Sequence, residues 1–278
     1  MKIIDVDALF EGVVREFITK NAGKFTESEW EGEIPKLYED FGSTAFDELG
    51  GLTPDTYYRS FSGEELVCGL KEHIEKGVSV SDFLCEAIIE NGDTESYLCT
   101  LLSSDNEELV MYAMNILNDK NSVPHEKCIE LILTADKQPI KELATELLSQ
   151  NANAVKEKII AVYDGADLVA RELFAEILSN ADKDDRVYTL LVTAFSENTD
   201  KIAQFTSYLV KYGDERAVKI LTEEIEREDI SYADFTELKF AIEALGGEYD
   251  KQRDFSNDTT YRKVKQASEK EKQTQKKK

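Results

Sequence analysis

The residues that could do chemistry in this chain fall into a few short stretches. The first is Leu49-Gly50-Gly51-Leu52-Thr53-Pro54-Asp55, whose paired glycines, hydroxyl and carboxylate suggest a phosphate-cradling loop. A nucleoside-triphosphate loop needs Gly-Lys-Ser/Thr and a dinucleotide loop needs a third glycine in register, and neither follows. The same residues are suited to end one helix and begin another. Glycine takes positive φ without a Cβ penalty, Thr53 can cap, and Pro54 suits the first helical position, where its missing N–H costs nothing. The second stretch, Asn180-Ala181-Asp182-Lys183-Asp184-Asp185, begins like a calcium loop, but Asp185 stands at the glycine position and Leu191 at that of the bidentate glutamate. His73 and His125 have no partner at metal or triad spacing and are expected at the surface. Cys68, Cys85, Cys99 and Cys128 lie far apart in apolar helical patterns, so they are expected as buried free thiols; no CxxC pair points to zinc. The acidic run Glu223, Glu224, Glu226, Glu228 and Asp229 reads as a solvated helix face. No catalytic residue, metal or cofactor is expected from these patterns.

The elements that must carry these residues are helices. Only four prolines occur in 278 residues, and apolar residues recur at three-and-four spacing almost throughout. Val6, Leu9, Phe10, Val13, Val14, Phe17 and Ile18 form one stripe with Asp5 as N-cap. Thr26-Glu-Ser-Glu29 has capping-box spacing ahead of Trp30, Ile34, Leu37, Tyr38 and Phe41. From about residue 100 the pattern repeats with a period of roughly 30 to 32 residues. Glu108–Asp119, Pro139–Gln150, Val169–Asn180 and Lys201–Tyr212 align so that four columns stay apolar. These are Leu109/Ile140/Ala170/Ile202, Tyr112/Leu143/Leu173/Phe205, Ile116/Leu147/Ile177/Leu209 and Leu117/Leu148/Leu178/Val210. A fifth copy ends at Leu245-Gly246-Gly247, and Ser81–Asp105 looks like an earlier, shorter one. A second apolar helix follows each copy, so the repeating unit is a helix hairpin.

Within this pattern, Tyr212-Gly-Asp-Glu-Arg-Ala-Val-Lys-Ile-Leu221 resembles the turn and second helix of HEAT repeats, in the short variety also found in bilin lyases. The resemblance covers roughly residues 80 to 250. It implies that Gly213 ends the first helix, Asp214 caps the turn and Arg-Ala-Val-x-x-Leu packs the second helix inward. In the other copies Asn118-Asp119, Gln150-Asn151 and Asn180-Ala181-Asp182 stand at the place of Gly213-Asp214. The fold expected is all-α: an α-solenoid of five or six HEAT-like hairpins over residues 81–250, an N-terminal helical capping segment over 1–80, and a basic, disordered tail over 251–278. From Arg262 onward eight basic residues stand against Glu269 and Glu271, a net of +6; the chain as a whole is −24, so the residues before the tail carry −30.

Such a charge argues against a nucleic-acid-binding body, since phosphate contacts need a basic face. Asp5, Asp7 and Glu11 stand where a secretory signal would be apolar, and no stretch has the length of a membrane span, so a cytoplasmic protein with no membrane partner is expected. Among enzymes on HEAT-like repeats, DNA glycosylases use a basic concave face with tryptophan and aspartate. Here Trp30 lies outside the repeats and the charge has the opposite sign. One motif shared with bilin lyases transfers no active site. The function expected is a non-catalytic scaffold that binds a basic or amphipathic protein or peptide on the face of the second helices. The Arg216-to-Leu221 register gives the contact residues Lys219, Glu223 and Glu226, with Glu130 and Thr189 equivalent to Lys219. The Leu49–Tyr58 turn is similar to one in the helical toxin-binding regions of some bacterial antitoxins, which implies, as the alternative, a regulatory protein acting through its N-terminal segment.

Overall fold

A computed structural model describes residues 1–275, apart from the side chains of Glu27, Ser28 and residues 269–275. The described residues form an all-α protein without strands. The chain divides into two compact units, residues 1–127 with 136–143, and residues 128–135 with 144–278.

The first unit is built from α1 (Val6–Lys20), α2 (Glu27–Gly42), the single turn α3 (Pro54–Tyr57), α4 (Gly63–Lys76), α5 (Asp82–Glu90), α6 (Glu95–Leu101) and α7 (Glu107–Asp119). Asp5 accepts from Ala8 N at 2.8 Å and Glu29 reaches back to Thr26 N at 2.8 Å, so both caps read from the sequence are made. Between α2 and α3 the glycine pair is punctuation. Gly50 and Gly51 have φ of 71° and 82°, Phe46 and Leu52 close a one-bridge loop, and Thr53 caps α3 ahead of Pro54. The core lies around α4, which buries Leu66, Val67, Leu70 and Ile74. Lys120 donates to Ile89 O and Asn91 O at 2.8 Å, closing the carbonyl end of α5 from the end of α7.

His73 is fully buried, which corrects its expected surface position. Its ring nitrogens lie 2.7 Å from Gly69 O and 3.2 Å from Ile4 O, and Tyr57 Oη donates to Lys2 O at 3.1 Å. The histidine closes the extended segment before α1 onto α4, a partnership across 69 residues that no local pattern carries. The cysteines also depart from expectation, because each apolar helical pattern has an edge. Cys128 is buried and Cys85 half-buried, whereas Cys68 and Cys99 sit on exposed helix faces.

The second unit contains α8 (His125–Thr134) and α9 (Gln138–Ser149), both shared with the first unit, then α10 (Ala152–Tyr163), α11 (Leu168–Leu178), α12 (Asp185–Glu197), α13 (Ile202–Tyr212), α14 (Ala217–Ile225), α15 (Tyr232–Ala244) and α16 (Thr259–Gln275). From α10 to α13 and again from α14 to α16, neighbours in sequence are neighbours in space, and α13 packs on α15. Leu109, Ile140, Ala170 and Ile202 are all buried, as are Ile116, Leu147, Ile177 and Leu209. The Tyr112 column is core only at Phe205. A column missed in the sequence, Ala113, Ala144, Phe174 and Thr206, is buried instead. On the second helices Val155, Ile159, Val187, Leu191, Ala217 and Leu221 point inward.

The turn chemistry is shifted from its expected position. Gly213 has φ of 71°, and Asp214 accepts from Arg216 N at 3.0 Å. Its counterpart is Asp184, which accepts from Arg186 N at 2.9 Å, rather than Asp182. The C-terminal segment also differs from expectation. Phe255 lies 5.4 Å from the Tyr232 ring and 5.0 Å from Phe235, and Tyr261 lies 5.1 Å from Tyr232. Asp258 accepts from Tyr261 N at 2.9 Å and from Tyr232 N at 3.2 Å, starting α16 where disorder was expected. A few aromatic residues without helical period anchor it. The final lysines, residues 276–278, lie outside the described residues.

Candidate partner-binding surface

Glu130, Thr189, Lys219, Glu223 and Glu226 are all exposed, on α8, α12 and α14 or just beyond its end. They do not form one constellation. Lys219 and Glu223 lie 4.0 Å apart one turn along α14, and Thr189 Oγ1 turns back to Asp185 O at 2.8 Å. Glu226 is engaged by Lys251 and by Tyr249 Oη at 3.2 Å; the lysine holds its carboxyl below the usual range.

The same compensation runs through the second unit. Arg186 bonds Asp184 at 2.7 Å and, 29 residues back, Glu157 at 2.6 Å, while Lys156 approaches Asp184 at 3.3 Å. Arg216 bonds Asp214 at 2.7 Å, reaches 31 residues back to Asp185 at 2.9 Å, and lies 4.1 Å over the Tyr188 ring. Lys201 bonds Glu172 across 29 residues, and Arg227 takes Glu224 at 2.6 Å and Asp229 at 2.9 Å. Hydrogen bonds from Arg186, with Lys156 beside it, hold the Asp184 carboxyl far below the ordinary carboxylate range. Arg216 depresses Asp214 in the same way. These contacts tie one hairpin to the next and leave those carboxylates little charge to offer a partner.

The first unit gathers acids without such partners. Asp7 on α1, Asp82 and Glu86 on α5, and Glu108 and Asp119 at the ends of α7 make no ion pair among the described residues. They surround Tyr38, Cys85 and Tyr112. Tyr38 stacks on Phe83 at 5.3 Å, meets Phe10 edge-on at 4.9 Å, and its hydroxyl lies 3.4 Å from Asp82. Burial raises the Tyr38 hydroxyl, and the fields of Asp82, Asp7 and Glu86 raise it further. Burial, then Asp82, Asp119, Asp7 and Glu86, push the Cys85 thiol up to about 11. Tyr112 is raised by burial and by Cys85, Glu108, Asp7 and Asp82. Beside it an open hollow of about 530 Å³ runs along α7, lined by Asn106, Glu107, Glu108, Met111, Tyr112 and Asn115.

Compared with known proteins, the chain matches no family model, no curated protein and no solved structure. The chemistry of the surface therefore has to speak through its geometry. A thiol held protonated at neutral pH is a poor nucleophile. No group of three or more His, Cys, Asp or Glu among the described residues has the geometry to hold a metal ion. Carboxylates beside tyrosine faces suit cations, by Coulomb attraction and by the negative ring face. No helix among the described residues is long and apolar enough to cross a membrane. The sequence reading missed this surface because its members come from four helices, and Tyr38 and Asp82 are 44 residues apart. Its one local trace is the i, i+3, i+4 spacing of Asp82, Cys85 and Glu86.

Proposed function

We propose that the protein is a non-catalytic binding module, a helical-repeat solenoid that takes a basic or amphipathic protein or peptide on the acidic, tyrosine-bearing face of its first unit. The observation that carries this reading is the difference in charge pairing. Asp7, Asp82, Glu86, Glu108 and Asp119 stand without cationic partners around Tyr38 and Tyr112, whereas the carboxylates of the second unit's turns are tied up between hairpins. Unpaired acids retain their attraction for an incoming cation. The repeat architecture is supported by the ion pairs across 29 and 31 residues, close to the hydrophobic period. On this reading the binding face lies on α1, α2, α5 and α7, and Glu130, Thr189, Lys219, Glu223 and Glu226 lie outside it.

The test is fluorescence anisotropy with a labelled lysine-rich peptide of about ten residues. The combined variant Asp82→Asn, Glu86→Gln, Glu108→Gln should weaken binding at least tenfold, and Glu223→Gln with Glu226→Gln should leave it within twofold. The wild-type affinity should fall steeply between 0.05 and 0.5 M salt as the Debye length contracts. Equal losses in the two variants, or none in the first, would refute the assignment.

A further inference from the structure

Helices α1 and α2 are 15 and 16 residues long, yet they bury far less than their length allows. Of all α1, only Val6 reaches core burial, while the 14-residue α4 buries seven residues. The stripe is nevertheless a full one: Val13, Val14, Phe17, Trp30, Ile34 and Leu37 are half-buried, and Ile18 is 45% exposed. Phe17, Phe25 and Trp30 pack only into a small cluster near the turn, with Phe17 5.8 Å and Phe25 5.0 Å from Trp30. Isolated helices of this length are marginal in water, and an amphipathic helix is normally stabilised by covering its apolar face. The far end of this hairpin has that face and only its own sister helix to cover it.

The charge around the stripe says what covers it. On α1 Glu11 and Asp7 lie two and three turns before Ile18 on the same face, and on α2 Glu31 and Glu33 stand within a turn of Trp30 and Ile34; Glu11 also pairs with Arg15 and Glu33 with Lys36 on their own helices. From Val6 to Gly42 there are nine acidic and four basic residues. A second copy of the hairpin would bring like charges together, so self-association is disfavoured. The stripe also continues through Phe10 and Tyr38 into the acidic surface at Asp82, so the two form one surface.

We propose that the α1–α2 hairpin is a docking arm for a basic amphipathic helix of a partner protein. The partner's apolar residues, at i, i+3, i+4 and i+7, lie along Ile18, Phe17, Trp30 and Ile34, and its lysines or arginines face the flanking carboxylates. An α1-length contact accepts a helix of about 15 residues, some 22 Å long. This deepens the proposed function and rests on it. Helix α16 is basic but, among its described side chains, shows Val264 alone as an exposed large apolar residue, so it lacks the stripe this arm requires.

Trp30 is the sole tryptophan of the chain and lies in the arm, so its emission reports on this site alone. The intact protein is titrated with a synthetic 15-residue leucine–lysine peptide carrying leucines at helical spacing, and with a permuted peptide of equal composition that has no helical period. Binding of the first peptide should shift Trp30 emission to shorter wavelength, with the permuted peptide at least tenfold weaker. Ile18→Asp should cost at least tenfold in affinity with an unchanged circular-dichroism melt, because Ile18 is exposed. The added carboxylate would favour a basic peptide by charge alone, so a loss assigns the contact to the apolar stripe. Tight binding with unchanged Trp30 emission and no effect of Ile18→Asp would overturn the docking arm while leaving the acidic-face assignment standing. Absence of binding by either peptide would overturn both.

Discussion

The two units are made from the same kind of helix, and although both carry ion pairs, their acidic surfaces differ in how charge is used. In the second, arginines at Arg186 and Arg216 each bridge a carboxylate of their own turn and one about 30 residues earlier, so acidity is consumed in joining successive helices. In the first, the carboxylates around Tyr38 and Tyr112 have no such role, and the α1–α2 hairpin leaves its apolar stripe half-covered. The difference separates surface that holds the fold together from surface that is free to recognise.

The largest effect that should sharpen this contrast is on packing. Phe174 on α11 is fully buried, so Phe174→Ala should cost about 3–5 kcal/mol in urea melts. Phe17 lies on a half-buried stripe, and Phe17→Ala should cost less, about 1–2 kcal/mol, since part of its ring stays in water after folding. Equal costs would mean that the hairpin is as well packed as the repeats.

Next in size is the response to pH, which should have opposite signs in the two units. Asp184, Asp214 and Glu157 have folded pKa values below their unfolded ones, chiefly through hydrogen bonds from the arginines. Their stabilisation is present above the unfolded value near pH 4 and is lost as pH falls below it, because the unfolded chain then binds more protons. The Cys85 thiol and the Tyr38 hydroxyl are raised by burial, so their contribution is present at neutral pH. For Cys85 it is lost as pH climbs from about 8.5 toward 11. Hydrogen exchange should therefore show the Asp184 and Asp214 turns loosening first in acid and the α5 region first in alkali. The reverse order would break the comparison.

A smaller change tests the punctuation between α2 and α3. Gly51 has φ of 82° with open space around it, so Gly51→Ala should cost about 1 kcal/mol from backbone strain alone and leave peptide binding unaltered. Smallest of all, Lys219→Ala should leave the melting temperature unchanged, because its contact with Glu223 is long and both side chains are solvated. A clear drop would place α14's outer face among the structural contacts.

Much of the fold was legible because it is written at short range. The caps at Asp5 and Thr26, the stop at Gly50-Gly51, and the buried columns through Leu109 and Ile116 follow from spacings of one to four residues repeated along the chain. The D-x-R turn was half legible: Asp214 was found beside its glycine, while Asp184, which has no glycine before it, was passed over for Asp182. The candidate surface was not legible, because nothing local to Tyr38 or Cys85 says that four helices will bring acids to them.

By itself the sequence determined an all-α chain, most of its core columns and an excess of negative charge, since helix propensity, capping and amphipathic spacing act within a turn or two. The tertiary structure alone decided where that charge is compensated. It also decided that His73 is buried against Ile4 and Gly69, that Phe255 and Tyr261 anchor a C-terminal helix, and that the stripe on α1 stays half-covered. Those outcomes depend on which side chains meet after the chain has folded back across tens of residues. Coulomb and packing energies are set by that distance in space, not by separation along the chain.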